Sequence, residues 1–272
     1  MSSNVRHRHG FADTRHGQVH YVEHGSGEPV LLLHQTPRSW DEYRDVLPLL
    51  GADHRTFAMD TLGFGASARP AEPWTIELFA AGVLDLCDAL ALDRVALVGH
   101  HTGGVVAVEV AAAAPERVHG LVLSATPFVD AARRQRVAAR PPIDHVVPAA
   151  DGSHLTQLWA NRAGFYPSDR PDLLDRLVRD ALGVLDRVEE GHLAVNRYRM
   201  EERIPLVRAP TLALCGELDT FSLPDLPRIA AAIPGARTAI LPGTGVPAVD
   251  HRPEQFAAAV GEFLAALPAQ VP

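Results

Sequence analysis

One of two adjacent histidines, His101, and one aspartate, Asp219, are the candidates for acid–base chemistry in this chain. His100 and His101 end an apolar run and are followed by Thr102 and two glycines, a pattern typical of a sharp turn between a strand and a helix. Asp219 follows another apolar run much later in the chain. An imidazole titrates near neutral pH, and a neighbouring carboxylate can fix its tautomer and stabilise its charged form. A histidine paired with a carboxylate in this way is suited to act as a general base.

The elements that must position these side chains alternate along the chain in a regular way. Short apolar runs are separated by amphipathic segments, which is typical of strand–helix–strand units and predicts an α/β fold with a mostly parallel sheet flanked by helices. The run from Pro29 to His34 is almost wholly apolar, as expected for a strand buried on both faces. The other predicted strands are Phe11–Thr14, Val19–Glu23, Arg55–Asp60, Arg94–His100, Val118–Ser124, Thr211–Gly216 and Thr238–Leu241. The predicted helices are Ser39–Leu50, Thr75–Leu90, Thr102–Ala114, Leu226–Ala232 and Pro253–Ala266.

One segment breaks this alternation. Residues 128–205 contain no convincing strand and are rich in arginine, aspartate, proline and aromatic residues, which indicates short helices. A helical insertion between two strands of one sheet predicts a lid over the carboxyl ends of the strands, where open α/β sheets bind ligands. We therefore divide the chain into a first core part (1–127), a helical lid (128–205) and a second core part (206–272).

Four segments resemble the α/β-hydrolase superfamily in the order in which that fold uses them. The resemblance implies an α/β-hydrolase fold with a lid insertion, a nucleophile elbow at Gly99–Gly103 and a triad acid at Asp219. It also implies an oxyanion hole made by the backbone N–H groups of Gln35 and Thr102. The four segments are Leu31–Trp40, Met59–Pro70, Leu97–Val118 and Pro210–Asp219.

The chain departs from the family pattern at two positions of the catalytic triad. His101 stands where serine hydrolases of the family carry serine, and Val246 stands where the triad histidine belongs. Only the acid, Asp219, remains, so Ser-His-Asp acyl transfer is not available from these positions. We expect His101 to reach Asp219 at roughly 3 Å and to form a two-member dyad that activates water. Direct attack by His101 and the absence of any catalytic role are the alternatives.

Further residues are candidates for contact with a substrate. His34 ends its strand where family members often have histidine, and Val246 faces the space that the triad histidine vacates. Trp159, Arg162 and Tyr166 lie in the predicted lid, where Arg162, like Arg199, would suit a carboxylate. The spacing of the histidines matches no metal motif, so we predict neither a metal nor a cofactor.

Composition limits the class of protein. The chain has 272 residues, of which 47% are hydrophobic, enough for a sizeable core. A net charge of -8 argues against nucleic acid as a partner. The first residues lack an apolar stretch typical of a signal peptide, and every apolar run is too short to span a membrane. Cys87 and Cys215 lie inside apolar runs, which predicts two core residues and no disulfide framework. We expect a cytoplasmic protein that acts on a small molecule, with its oligomeric state left open.

These observations favour hydrolysis of an ester, a lactone or a related carbonyl compound without a cofactor. The same dyad beside an oxyanion hole would also serve a lyase, an isomerase or a cofactor-free oxygenase, because each begins with removal of a proton. A non-catalytic ligand-binding protein on the same fold is the third interpretation.

Overall fold

Within the described part of the chain, eight strands form one sheet in the order β1-β2-β4-β3-β5-β6-β7-β8. The computed structural model describes residues 7–268. The β1–β2 and β2–β4 pairs are antiparallel and the remaining pairs are parallel, which confirms the predicted mostly parallel sheet. The strands are β1 Arg8–Thr14, β2 Gly17–Gly25, β3 Pro29–Leu33, β4 Arg55–Met59, β5 Val95–His100, β6 Val118–Ser124, β7 Thr211–Gly216 and β8 Arg237–Leu241.

Helices cover both faces of this sheet. Successive side chains of a strand point to opposite faces, so Leu31 and Leu97 belong to one hydrophobic cluster while Leu32 and Val98 belong to another. Every residue of β5, β6 and β7 is buried, because these strands lie between two helical layers. The helices of the core are α1 Leu47–Leu50, α2 Ile76–Ala89, α3 Thr102–Ala113, α9 Leu226–Ala232, α10 Ala248–His251 and α11 Pro253–Ala265.

A run of helices joins β6 to β7, in the segment predicted to be a lid. Within the described chain, residues 125–210 contain no strand. We call helices α4 to α8 the inserted helices: α4 Ala131–Val137, α5 Ser153–Ala163, α6 Pro171–Leu182, α7 Glu190–Arg197 and α8 Met200–Arg203. The division of the chain at residues 127 and 205 stays a prediction.

One predicted helix was wrong, and one short helix was not predicted. The helix predicted over Ser39–Leu50 is broken into a 3-10 turn, Trp40–Tyr43, and the short α1. Pro48 lies at the start of α1 and has no N–H to donate to the preceding turn, so one continuous helix cannot form. The short helix α10 was not predicted, because four residues are too few to show a helical period.

A buried arginine connects the loop after β3 to two other parts of the chain. Arg38 is fully buried, and its guanidinium lies 2.7 Å from Asp250 in α10 and 2.9 Å from Asp180 in α6. Asp41 and Glu42 complete the set of carboxylates around it. A buried cation is tolerated only when it is paired, so this cluster fixes α6 against the core.

No helix of residues 7–268 is long and apolar enough to cross a membrane. Cys87 and Cys215 are buried free thiols.

Candidate active site

His101 forms the sharp turn between β5 and α3. Its φ of 46° and ψ of -110° lie in a region that side-chain-bearing residues rarely adopt, and its N–H donates to the Ser124 carbonyl at 2.9 Å. The turn is possible because Gly103 packs directly against the Leu33 carbonyl, leaving no room for a side chain. This strained backbone directs the His101 ring toward a cavity at the end of the sheet.

The ring of His101 lies beside the carboxylate of Asp219. Its Nε2 atom is 3.8 Å from Asp219 Oδ2, which is beyond hydrogen-bond range. Nε2 is buried and has no hydrogen-bond partner among the described residues. The structure thus brings the two predicted residues together, but the expected contact at roughly 3 Å is not formed. A movement of less than 1 Å would close it.

Backbone amides hold the Asp219 carboxylate in one orientation. Its Oδ1 atom accepts hydrogen bonds from the Phe221 N–H at 3.0 Å and the Ser222 N–H at 2.9 Å. Its Oδ2 atom accepts no backbone N–H among the described residues; besides the His101 ring it contacts the Cys215 thiol, at 3.8 Å. Because a thiol is a weak donor, Oδ2 remains available to an imidazole N–H.

Burial keeps both elbow histidines neutral at pH 7. The pKa of His101 lies well below its usual value, first because burial disfavours the charged ring and then because a charged ring would be repelled by His100 in its protonated form and by Arg162. Burial also lowers the pKa of His100, to about 4. His100 donates from Nε2 to the Val246 carbonyl at 3.0 Å and pairs through Nδ1 with the Ser124 hydroxyl at 2.9 Å, so its ring is fully engaged.

The backbone N–H of Gln35 does not fit the predicted oxyanion hole. It donates to Glu42 Oε2 at 2.8 Å, and the Gln35 side-chain amide donates to the other oxygen of the same carboxylate. The next residue, Thr36, also lines the cavity, and its N–H makes only a long contact of 3.4 Å with Thr102 Oγ1. Thr102 opens α3, so its own N–H has no acceptor within the helix. The geometry therefore favours the Thr36 and Thr102 amides as donors to an oxyanion.

The cavity lies between the carboxyl ends of the strands and the inserted helices. Its volume is about 410 Å³, in the range of small-molecule sites. His101, Phe221 and Val246 line its floor. The inserted helices and their connecting loops contribute Arg133, Arg134, Val137, Arg140, Arg162, Phe165, Glu189, His192, Leu193, Asn196 and Arg197.

Three residues predicted to bind substrate do not line this cavity. Both ring nitrogens of His34 are used within the protein, Nδ1 by the Gln35 carbonyl at 2.8 Å and Nε2 by the Thr61 N–H at 2.9 Å. Trp159 and Tyr166 pack with leucines of α6 in a small separate core. The amphipathic face of α6 needs partners, and these two aromatic residues supply them.

Arg162 and Val246 do line the cavity. The Arg162 guanidinium, however, is held by the Asp144 carboxylate through Nε at 2.6 Å and contacts His192 at 3.1 Å. Its positive charge is therefore compensated within the protein. Three residues of this site were not predicted: Thr36, Phe221 and Arg133. A sequence has no periodic signal that shows which residue of a loop faces a cavity or how the helices of a lid pack. Among residues 7–268, no group of three or more metal-ligating side chains is placed to hold an ion.

The sheet order, the strained turn after β5 and the acid after β7 together define an α/β-hydrolase fold. Residues 28–247 match the family described as alpha/beta hydrolase fold, and the chain belongs to that family. Haloalkane dehalogenase 2 of Mycobacterium tuberculosis is 29% identical over 269 residues, and the match covers 92% of each chain. A hydrolase structure from Pseudomonas aeruginosa superimposes with a TM-score of 0.78 at 26% identity, covering 98% of this chain and 100% of that one.

The enol-lactonase structure from Burkholderia xenovorans shares the fold alone. It is 21% identical, with a TM-score of 0.77, and the match covers 94% of this chain and 100% of that one.

Proposed function

We propose that this protein is a cofactor-free hydrolase of a small ester, lactone or related carbonyl compound. In this proposal His101 occupies the elbow position of the family's serine, Val246 occupies that of the triad histidine, and Asp219 is the remaining acid. The observation that carries the proposal is the His101 ring, which lines the cavity and lies 3.8 Å from the Asp219 carboxylate.

The tautomer follows from this geometry. A proton on Nε2 points toward Asp219 Oδ2, whose other oxygen is fixed by two backbone amides. Nδ1 then carries the lone pair and is the nitrogen left to accept a proton from the cavity. Asp219 acts as a positioning residue, because it orients the ring and stabilises the imidazolium once that forms.

The reaction then needs only water and the substrate. Nδ1 of His101 removes a proton from water while the water oxygen bonds to the carbonyl carbon, and the carbonyl oxygen becomes an oxyanion. The N–H groups of Thr36 and Thr102 stabilise that charge. The bond to the leaving oxygen breaks, and the imidazolium returns its proton to the leaving alkoxide. The products are an acid and an alcohol, and His101 is neutral again.

Activation of water is favoured over direct attack by the His101 ring. An acyl-imidazole would need a second base to activate the water that removes the acyl group. Both ring nitrogens of His100 are engaged, and His192 contacts Asp144 at 2.8 Å. No free base therefore stands next to His101 among the described residues.

Hydrolysis of p-nitrophenyl acetate tests the proposal. We expect His101→Gln to lower kcat/KM by about 100-fold or more, the usual contribution of a general base. His145→Gln is the matched control, because His145 is exposed near the inserted helices and does not line the cavity. Equal turnover by wild type and His101→Gln would overturn the proposal.

Mass spectrometry separates the water route from its alternatives. Hydrolysis in ¹⁸O-labelled water should place one label in the acetate, and wild-type protein quenched during turnover should carry no acetyl group. An acetyl adduct on His101 would contradict general-base catalysis and establish a nucleophile instead.

A further inference from the structure

The cavity above His101 is rich in positive charge. Five arginines line it: Arg133, Arg134, Arg140, Arg162 and Arg197. Glu189 is the acidic residue among the lining side chains, and one of its oxygens already accepts the backbone N–H groups of residues 144 and 145. The side chains that line the cavity therefore include more positive than negative groups.

Most of these arginines are compensated or exposed. Arg134 pairs with Glu201, and Arg162 pairs with Asp144. Arg140 and Arg197 are exposed to solvent, where water screens their charge. Arg133 is the buried arginine whose pairing is incomplete.

Arg133 lines the cavity, and its guanidinium is only partly hydrogen-bonded within the described residues. The residue is 6% exposed, and its Nε atom is buried without a partner among the described residues. Its Nη1 atom reaches Asp225 only at 3.4 Å. Asp225 also accepts from Arg228 and from the Phe128 N–H, each at 3.0 Å, so its charge is shared. A buried donor without an acceptor is costly, so Arg133 is the buried arginine of the cavity wall whose hydrogen bonds are least satisfied within the protein.

A single aromatic ring connects this guanidinium to the proposed base. Arg133 lies 5.1 Å from the centre of the Phe221 ring, and the His101 ring lies 6.2 Å from the same centre. A small molecule held at Arg133 therefore has its other end within reach of His101.

We propose that the substrate carries a carboxylate, which binds the guanidinium of Arg133 while the carbonyl to be attacked lies at His101. The planar guanidinium presents two parallel N–H donors that match the two oxygens of a carboxylate. Placing the reacting carbonyl rests on the proposed function, but recognition of the carboxylate does not need turnover.

Equilibrium binding tests the recognition step alone. The probes are 3-phenylpropanoate and its amide, 3-phenylpropanamide, which differ in charge and share shape, and titration calorimetry measures both. Wild-type protein should bind the carboxylate at least tenfold more tightly, as expected for a charge-assisted contact of about 1.4 kcal/mol or more. Equal affinity for the two probes would overturn the proposal.

Variants assign that preference to one residue. Arg133→Gln should reduce the preference for the carboxylate to about twofold or less. Arg133→Lys should retain part of that preference, because lysine keeps the positive charge but lacks the two parallel N–H donors of the guanidinium. Arg199→Gln is the control, since Arg199 is exposed and absent from the cavity wall. A folded Arg133→Gln protein with the full preference would contradict the assignment. Should Arg133→Gln not fold, Arg133→Lys takes its place. A smaller preference for the carboxylate than in wild type supports the assignment, and the full preference contradicts it.

Turnover distinguishes failure here from failure of the proposed function. Mono-p-nitrophenyl glutarate carries a carboxylate, and p-nitrophenyl butyrate does not. Preferential binding of the carboxylate probe with no hydrolysis of either ester would support the proposed ligand class and contradict the proposed hydrolysis. The opposite result is hydrolysis of both esters with equal kcat/KM together with equal binding of the two phenylpropanoyl probes. It would support the proposed hydrolysis and contradict recognition of a carboxylate by Arg133.

Discussion

His101 and Asp219 face each other across 3.8 Å, and within residues 7–268 the imidazole nitrogen has no hydrogen-bond partner and the carboxylate oxygen accepts no backbone amide. The separation is too long for a hydrogen bond and too short to hold a water molecule between them. The pair is thus set to close when the ring takes up a proton, because the attraction grows once the imidazole is charged.

Asp219→Asn should change both the rate and the pH profile of ester hydrolysis. The asparagine amide would keep the contacts of Oδ1 but present an N–H to His101, which favours a proton on Nδ1 and removes the base. We expect kcat/KM to fall at least tenfold.

The pH dependence follows from the lowered pKa of His101. Activity needs the neutral ring, so kcat/KM should be flat above pH 6.5 and fall only at lower pH. Loss of the Asp219 charge removes a stabilising partner of the imidazolium, so the midpoint should move to still lower pH. Asp88→Asn, at an exposed pair with Arg117, should leave the profile unchanged. An unaltered midpoint in Asp219→Asn would contradict the dyad.

A double variant tests the assignment of positions 101 and 246. His101→Ser with Val246→His should place a serine and an imidazole beside the existing acid and restore labelling by a fluorophosphonate probe. His101→Ser alone should not be labelled, since no imidazole then faces the serine. Labelling of the single variant at the same rate as the double variant would show that Val246 does not hold the triad position.

The tight turn at His101 makes a prediction about stability. Gly103→Ala would press a methyl group against the Leu33 carbonyl, so the free energy of unfolding should fall by about 2 kcal/mol or more. Gly261→Ala is the opposite control, because Gly261 lies inside α11 with open space around it and alanine favours the helix by about 0.5–1 kcal/mol. Chemical denaturation measures both changes. A Gly103→Ala protein as stable as wild type would contradict the described packing of the elbow.

Buried His100 predicts a loss of stability in mild acid. Its pKa is about 4 in the folded protein and near 6.5 in the unfolded chain, so between these values the unfolded chain binds more protons. The free energy of unfolding should therefore decrease as pH falls from 6.5 to 4, by up to roughly 1.4 kcal/mol per pH unit from this residue. His100→Gln should show a shallower dependence, and an identical slope in the variant would contradict the assignment to His100.

The sequence predicted the sheet well and the site less completely. Strands such as β6, Val118–Ser124, and β7, Thr211–Gly216, were predicted with the bounds that the structure gives, because full burial leaves a continuous apolar run. The neighbourhood of His101 and Asp219 also followed from the sequence, since the carboxyl ends of parallel strands meet at one edge.

The details of the cavity wall could not be predicted in the same way. The choice of Thr36 over Gln35 depends on Glu42, which captures the Gln35 amide. The difference between Arg162 and Arg133 depends on which carboxylate each arginine meets after the inserted helices have packed. Such pairings are tertiary, and no spacing along the chain encodes them.

The Arg38 cluster has a consequence for the way a ligand reaches His101. Pulling α6 away from the core would separate Asp180 from a fully buried guanidinium and cost several kcal/mol. Opening the cavity by a movement of α6 is therefore unfavourable, and we expect ligands to pass the exposed part of the wall at Arg140–Ile143, two of whose residues are prolines.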